Sequence, residues 1–314
     1  NNGITILCDQ AESRKSKGKE FLQVSNPQII NGQQTTRMLY SMSSEARKAS
    51  VLVKVIKVPR DLKDDGFDTL VSSIVAGTNW QNAIRPSDLM ANDRTQIELD
   101  RELRKVGYIY LRKRQNKSEG KAAAGAKHLF AIKKEELARA VAACDLGPVV
   151  VRSGKEKLFE EAKYAFVFPN SDPDYYLPRY WLMKSVSYCS RGKPERGYAK
   201  WLVLHFVWSE LAPMLKSKTK LRAFVRGAEK RDQDLVNPLR KAVDRAYVAA
   251  LKYFRTNRGR GEAAQDVSTF FRARPSMPEE FRKFWDSPKN KGKSQFTQAR
   301  KQVEQALAGI FAEH

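Results

Sequence analysis

FLQVSNPQIINGQQTTRMLYSM, residues 21–42, changes its period halfway and so announces a strand, a turn and a helix. Phe21, Leu22 and Val24 lead to the Asn26-Pro27 pair, and Gln28, Ile29 and Ile30 read as a short buried strand. Asn31-Gly32-Gln33-Gln34-Thr35-Thr36 is polar, and Arg37, Met38, Leu39, Tyr40 and Met42 then follow at helical spacing. Gly32 lets the backbone bend and approach a ligand with no side chain in the way. Thr35 or Thr36 is expected to cap the helix through its hydroxyl. The first N–H groups of such a helix lack intrahelical partners and sit at the positive end of its dipole, which suits an anion. The same residue types also build ordinary strand-to-helix turns that bind nothing.

On either side of this stretch the pattern alternates between strands and helices. Asn1–Leu7 reads as a strand through Ile4, Ile6 and Leu7, and the basic stretch 10–19 as a loop or hairpin tip. Phe21–Ile30 returns as a strand. Val51 to Val58 is an almost continuous β-branched run ended by Pro59, expected to be a central strand. Phe67, Leu70, Val71, Ile74 and Val75 mark an amphipathic helix over 66–77. Ser87 should cap a helix running from Asp88 to Val106, followed by a strand at Tyr108–Leu111 and an exposed Gly/Ala/Lys loop at 117–127. From Ile132 onward the chain reads as helices, several with aromatic stripes suited to packing. These expectations give an α+β fold: a mixed α/β half over 1–130 and a helical half with a basic surface over 131–314.

Three stretches carry a family resemblance. NNGITIL at residues 1–7 followed by NPQIINGQQTT at 26–36 resembles the AIPR (abortive infection phage resistance) proteins of bacteria, and so does the longer stretch TNWQNAIRPSDLMANDRTQIELDRELRKVGYIYLRKR at 78–114. The resemblance implies a phage-defence role, and that the turn, the Asn79/Gln81/Asn82 segment and the Tyr110–Arg114 strand fold into one module. It also implies a segment before Asn1, where a nuclease-like domain precedes this core in some relatives. The turn is more distantly similar to DGQHR and ParB-like turns, but Asn31, Gln34 and Thr35 stand where those carry Asp, His and a phosphate-holding Arg.

The 58 Lys and Arg against 35 Asp and Glu leave a net charge of +23, which favours a polyanionic partner, most simply DNA or RNA. No apolar run approaches the ~18 residues that a membrane span needs, so no membrane partner is expected. Cys8, Cys144 and Cys189 are widely separated and read as buried thiols of a reducing cytoplasm. With only three His residues, no metal-ligand spacing appears, and no cofactor is evident.

No P-loop and no kinase or hydrolase signature is present. Asp88, Asp93, Glu98 and Asp100 lie close in sequence, and under a nuclease reading they would hold Mg2+. Yet on a helix Asp93 and Asp100 face one way and Glu98 another. Carboxamides offer a better candidate site: Asn2, Asn31, Gln33, Gln34, Asn79, Gln81 and Asn82 both donate and accept, as base edges and sugar hydroxyls require. Arg85, Arg112, Lys113 and Arg114 would supply phosphate contacts, and Gly32, Thr35 and Thr36 the helix terminus. Three readings follow. The first is a module that binds nucleic acid or a nucleotide. The second is a nuclease or nucleotide hydrolase, with catalysis in this chain or in the preceding segment. The third is an interaction protein whose helical half forms a homo-oligomer or partner interface.

Overall fold

The computed structural model describes residues 3–16, 18–41, 50–58, 70, 73–74, 86–113, 117–123, 125, 130–259, 261, 264–272, 275–288, 290 and 292–312. The fold is α+β, in two compact units, Asn1–Arg85 and Pro86–His314.

In the first unit β1 (Ile4–Cys8) is the middle strand of three, in the order β4-β1-β5. β4 (Gln28–Asn31) pairs with it antiparallel, Thr5 opposite Asn31, and β5 (Val53–Lys57) pairs parallel, Ile4 opposite Val53. Among the described residues the β-branched run at 51–58 is therefore an edge strand of this sheet and not its centre, and Val53 is 46% exposed. The central place goes to the strand that is covered on both faces: Ile4, Thr5, Leu7 and Cys8 are all buried. β2 (Gln10–Ser16) and β3 (Lys19–Ser25) form an antiparallel hairpin. The polar stretch from 10 is thus mostly strand. Its ribbon is exposed along almost its whole length, so no alternation of burial marks it in the sequence. Asn26, with φ of 50°, separates β3 from β4, and its side-chain amide donates to the Asp9 carboxylate at 2.6 Å. β4 runs into α1 (Gln33–Ser41). The helix expected over 66–77 lies largely outside the described residues.

The second unit begins with the helix expected over 88–106, which divides. α2 (Pro86–Leu89) and a 3-10 turn at Met90–Asn92 end at Asp93, whose carboxylate accepts from the Thr95 N–H at 2.9 Å and starts α3 (Arg94–Lys105). β6 (Tyr108–Leu111) forms as expected. It pairs in parallel with β7 (Phe130–Lys133), a strand the sequence reading passed over. Between them residues 117–123 are α4 (Lys117–Ala123) and not loop. A Cβ at Gly120 would fall 2.3 Å from Leu111 Cδ2, so the small residue serves close packing on β6.

Helices make up the rest. α5 (Lys134–Val141) runs into a π-helical turn at Ala142–Leu146, and α6 (Pro148–Arg152) follows. A 3-10 turn at Glu156–Phe159 then leads to α7 (Glu161–Val167). α8 (Pro173–Cys189), α9 (Pro194–Leu211), α10 (Lys218–Lys230) and α11 (Gln233–Asn257) are the long helices. α12 (Val267–Arg272), α13 (Met277–Asp286) and α14 (Lys293–Ala312) complete the unit. The aromatic stripes are mostly core, with Tyr188 and Tyr198 exposed: the Phe206 ring lies 4.5 Å from Trp285 and 5.2 Å from Phe281.

Leu99, Leu103, Tyr108 and Tyr110 belong to the same hydrophobic core as Leu137, Tyr176 and Leu204. Residues 86–130 accordingly share a unit with the helices, and the compact units divide at Arg85/Pro86 instead of near 130. Cys8, Cys144 and Cys189 are buried free thiols.

Candidate nucleic-acid interface

The turn between β4 and α1 is built from two glycines. Gly32 has φ of +86°, and a Cβ there would lie 2.7 Å from the Gly3 carbonyl oxygen and 3.0 Å from Ile4 Cα. Gly3 itself has φ of +71°, and a Cβ on it would meet the Leu52 carbonyl oxygen at 2.4 Å. The backbone of β4 and α1 thus lies directly against the start of β1, in a conformation that disfavours any side chain. Gly3 was not anticipated as part of the turn, although the family-like stretches at 1–7 and 26–36 each carry a glycine.

The helix starts at Gln33, one turn earlier than a cap by Thr36 would place it. The Thr36 N–H donates to the Gly32 carbonyl at 2.9 Å, and the Thr36 hydroxyl donates to the same oxygen at 3.0 Å. Thr36 therefore ties back to the turn and does not cap the helix. The N–H groups of Gln33 and Gln34 precede the first intrahelical acceptor of α1. Gln33 is exposed at the first of these positions, and its amide reaches back to the Ile29 carbonyl at 3.4 Å. Asn31, Thr35 and Thr36 are half-buried beside it. What this arrangement offers chemically is a short row of backbone donors flanked by carboxamides.

A family model of AIPR proteins matches residues 1–255. The chain belongs to the AIPR family. No curated protein and no solved structure matches the chain, and the distant likeness of the turn to DGQHR and ParB-like proteins has no match behind it.

In this AIPR chain the remaining candidate residues are described only in part. Asn2, Asn79, Gln81, Asn82, Arg85 and Arg114 lie outside the described residues, as does the side chain of Gln34. Arg112 and Lys113 belong to the second unit, at the end of β6. Lys113 is exposed. Arg112 is engaged inside its own unit: Nε donates to the Asp100 carboxylate at 3.1 Å and Nη1 to the Ala91 carbonyl at 2.7 Å.

The acidic residues between 88 and 100 have structural partners. Asp93 caps α3 and accepts from the Tyr164 hydroxyl at 2.6 Å. Asp100 pairs with Arg112, and Glu98 with Arg94 at 2.8 Å. Among the described residues no group of three His, Cys, Asp or Glu is placed to hold a metal, and no helix is long and apolar enough to cross a membrane.

The π-helical turn at Ala142–Leu146 was invisible in sequence. It presents Asp145, which accepts from the Tyr175 hydroxyl at 2.7 Å, from Arg179 Nε at 2.9 Å and from Trp208 Nε1 at 3.1 Å. The Arg179 guanidinium lies between the rings of Tyr175 and Trp208, 4.0 and 4.4 Å from their centroids. A carboxylate supplied with this many donors is a joint between α5, α8 and α9, not a base.

Proposed function

We propose that this chain is the nucleic-acid- or nucleotide-binding core of a bacterial phage-defence protein. The defence role follows from membership of the AIPR family. The observation that carries the binding is the net charge of +23, an excess that draws polyanions whatever their sequence. The turn after β4 is the site this reading favours in the first unit. Its glycines hold the start of α1 against β1, with Asn31 and Gln33 beside backbone donors that suit a phosphate.

Binding of labelled DNA, RNA and nucleoside triphosphates at two salt concentrations tests it, with the wild type compared to a Gln33→Ala/Gln34→Ala variant. Affinity that falls with salt and is weakened by the variant supports the reading. Affinity that ignores the variant reduces the turn to a structural joint. The nuclease alternative makes a different demand. Metal-dependent cleavage lost in Asp93→Ala would support it, but the helix cap and the Tyr164 bond give Asp93 a scaffolding role that accounts for it already.

A further inference from the structure

We propose that the furrow between α11 and α14 is a groove for a single nucleic-acid strand. The proposal rests on the nucleic-acid reading above and adds a contact surface that lies wholly within the second unit.

Two open cavities of about 530 and 540 Å3 lie end to end along the seam of these helices and share Lys241 and Gln302. On α14, Gln295, Gln298, Gln302 and Gln305 recur at steps of three, four and three, which puts them on one face over about 15 Å. Opposite them on α11 stand Asn237, Lys241 and Arg245 at steps of four, and Lys193 before α9 flanks one end.

Two features make this more than a solvated helix face. The four glutamines are exposed, and among the described residues no protein group hydrogen-bonds their side chains. Lys193, Lys241 and Arg245 have no carboxylate within ion-pair distance among the described residues. The remaining basic group of this end, Arg196, is paired with Asp244 and also donates to the Cys189 carbonyl at 2.8 Å. The charge at this end of the groove is therefore three uncompensated cations beside one neutral pair. The acidic residues Asp232 and Asp234 sit at the other end, where they begin α11. An anion is drawn to the Lys193–Arg245 end, and the carboxamide row leads away from it.

A nucleic-acid strand matches that order of groups. Phosphates take Lys and Arg, and base edges take carboxamides, which donate and accept. A duplex is recognised by an element that projects into its groove, whereas this seam is concave. None of the residues lining it is aromatic, so its contacts are to backbone and base edges and not by stacking. α14 lies beyond residues 1–255, where the family match ends, so half of the groove comes from a part of the chain outside that match.

The test uses the full chain and short labelled single strands of DNA and RNA, with a duplex of the same sequence, titrated between about 50 and 200 mM salt. Lys241→Ala/Arg245→Ala removes two exposed cations of the groove. Lys216→Ala/Lys220→Ala removes two exposed cations elsewhere and is the charge-matched control. The groove variant should lose about 1.4 from the salt slope for single strands, which is about 25-fold in affinity near 0.1 M salt. The control should lose much less. Gln298→Ala/Gln302→Ala should weaken binding and leave the slope unchanged. All six positions are exposed, and circular dichroism checks that each variant keeps its helices. If the wild type binds and the groove variant matches the control, the groove is overturned and the nucleic-acid reading stands. If duplex binding depends on Lys241 and Arg245 as strongly, the single-strand assignment is overturned. If no probe binds the wild type, both fail.

Discussion

Replacing Gly32 with alanine places a Cβ against backbone that has nowhere to move. The Gly3 carbonyl oxygen at 2.7 Å and Ile4 Cα at 3.0 Å both belong to the start of β1, which is hydrogen-bonded to strands on either side. Two costs add. Holding a non-glycine residue in the left-handed region costs about 1–2 kcal/mol. Forcing extra volume into a packed site costs about 1–3 kcal/mol more. The sum, about 2–5 kcal/mol, is a large share of the stability of a unit this small.

Gly18→Ala separates the two costs. Gly18 has φ of +72°, but nothing lies within 4 Å of its Cβ position, so only the conformational cost of about 1–2 kcal/mol applies. Hydrogen exchange read by mass spectrometry on peptides covering β1 and β4 gives the assay. Protection there should fall at least about 30-fold in Gly32→Ala, the equivalent of about 2 kcal/mol. A Gly32→Ala chain as protected in β1 and β4 as Gly18→Ala would refute the close approach of the turn to β1, and with it the geometry assigned to the site.

Two further outcomes concern the second unit. Asp145→Ala strips the Arg179 guanidinium of its counter-charge while Tyr175 and Trp208 still enclose it, so stability should fall by about 3 kcal/mol, the low end for a broken buried pair because both groups touch solvent. A guanidinium denaturation midpoint that hardly moves would remove Asp145 as the joint between these helices. Lys200 is lowered from 10.5 to about 8, first by burial and then by Arg139 and Lys184, with Glu136 opposing. Its folded pKa lies below its unfolded one, so between about pH 8 and 10.5 the unfolded chain holds the extra proton and stability rises with pH across that window. Lys200→Met should flatten the rise seen in denaturation midpoints taken across it, and an unchanged pH profile would show that the side chain is solvated.

By itself the sequence was enough for the local periods and for the family. Residues 24–41 read as strand, turn and helix because adjacent isoleucines lead to a glycine-containing polar turn, after which apolar residues return at helical spacing. Tyr108–Leu111 is legible as a short unbroken run of strand-forming residues, and the aromatic helices as long apolar stretches too extended for a strand. The nearly continuous apolar run of β5 looked central because a β-branched run marks a buried strand, yet whether a strand is flanked on both sides depends on partners far away in the chain. The glycine and alanines near 120 looked like a loop, since small residues are also what a helix needs when it rests on a strand. The four glutamines of α14 were printed at helical spacing all along, but their spacing shows only that they share a face. Only the packing of α11 against α14 sets Lys241 and Arg245 across from them. Likewise the close approach of Gly32 to Gly3 joins residues 29 positions apart, and sheet pairing decides it. Periodicity is a property of neighbours along the chain and survives in any fold. Register, burial and the meeting of charges across a groove are set by contacts between distant segments, and these exist only once the core has formed.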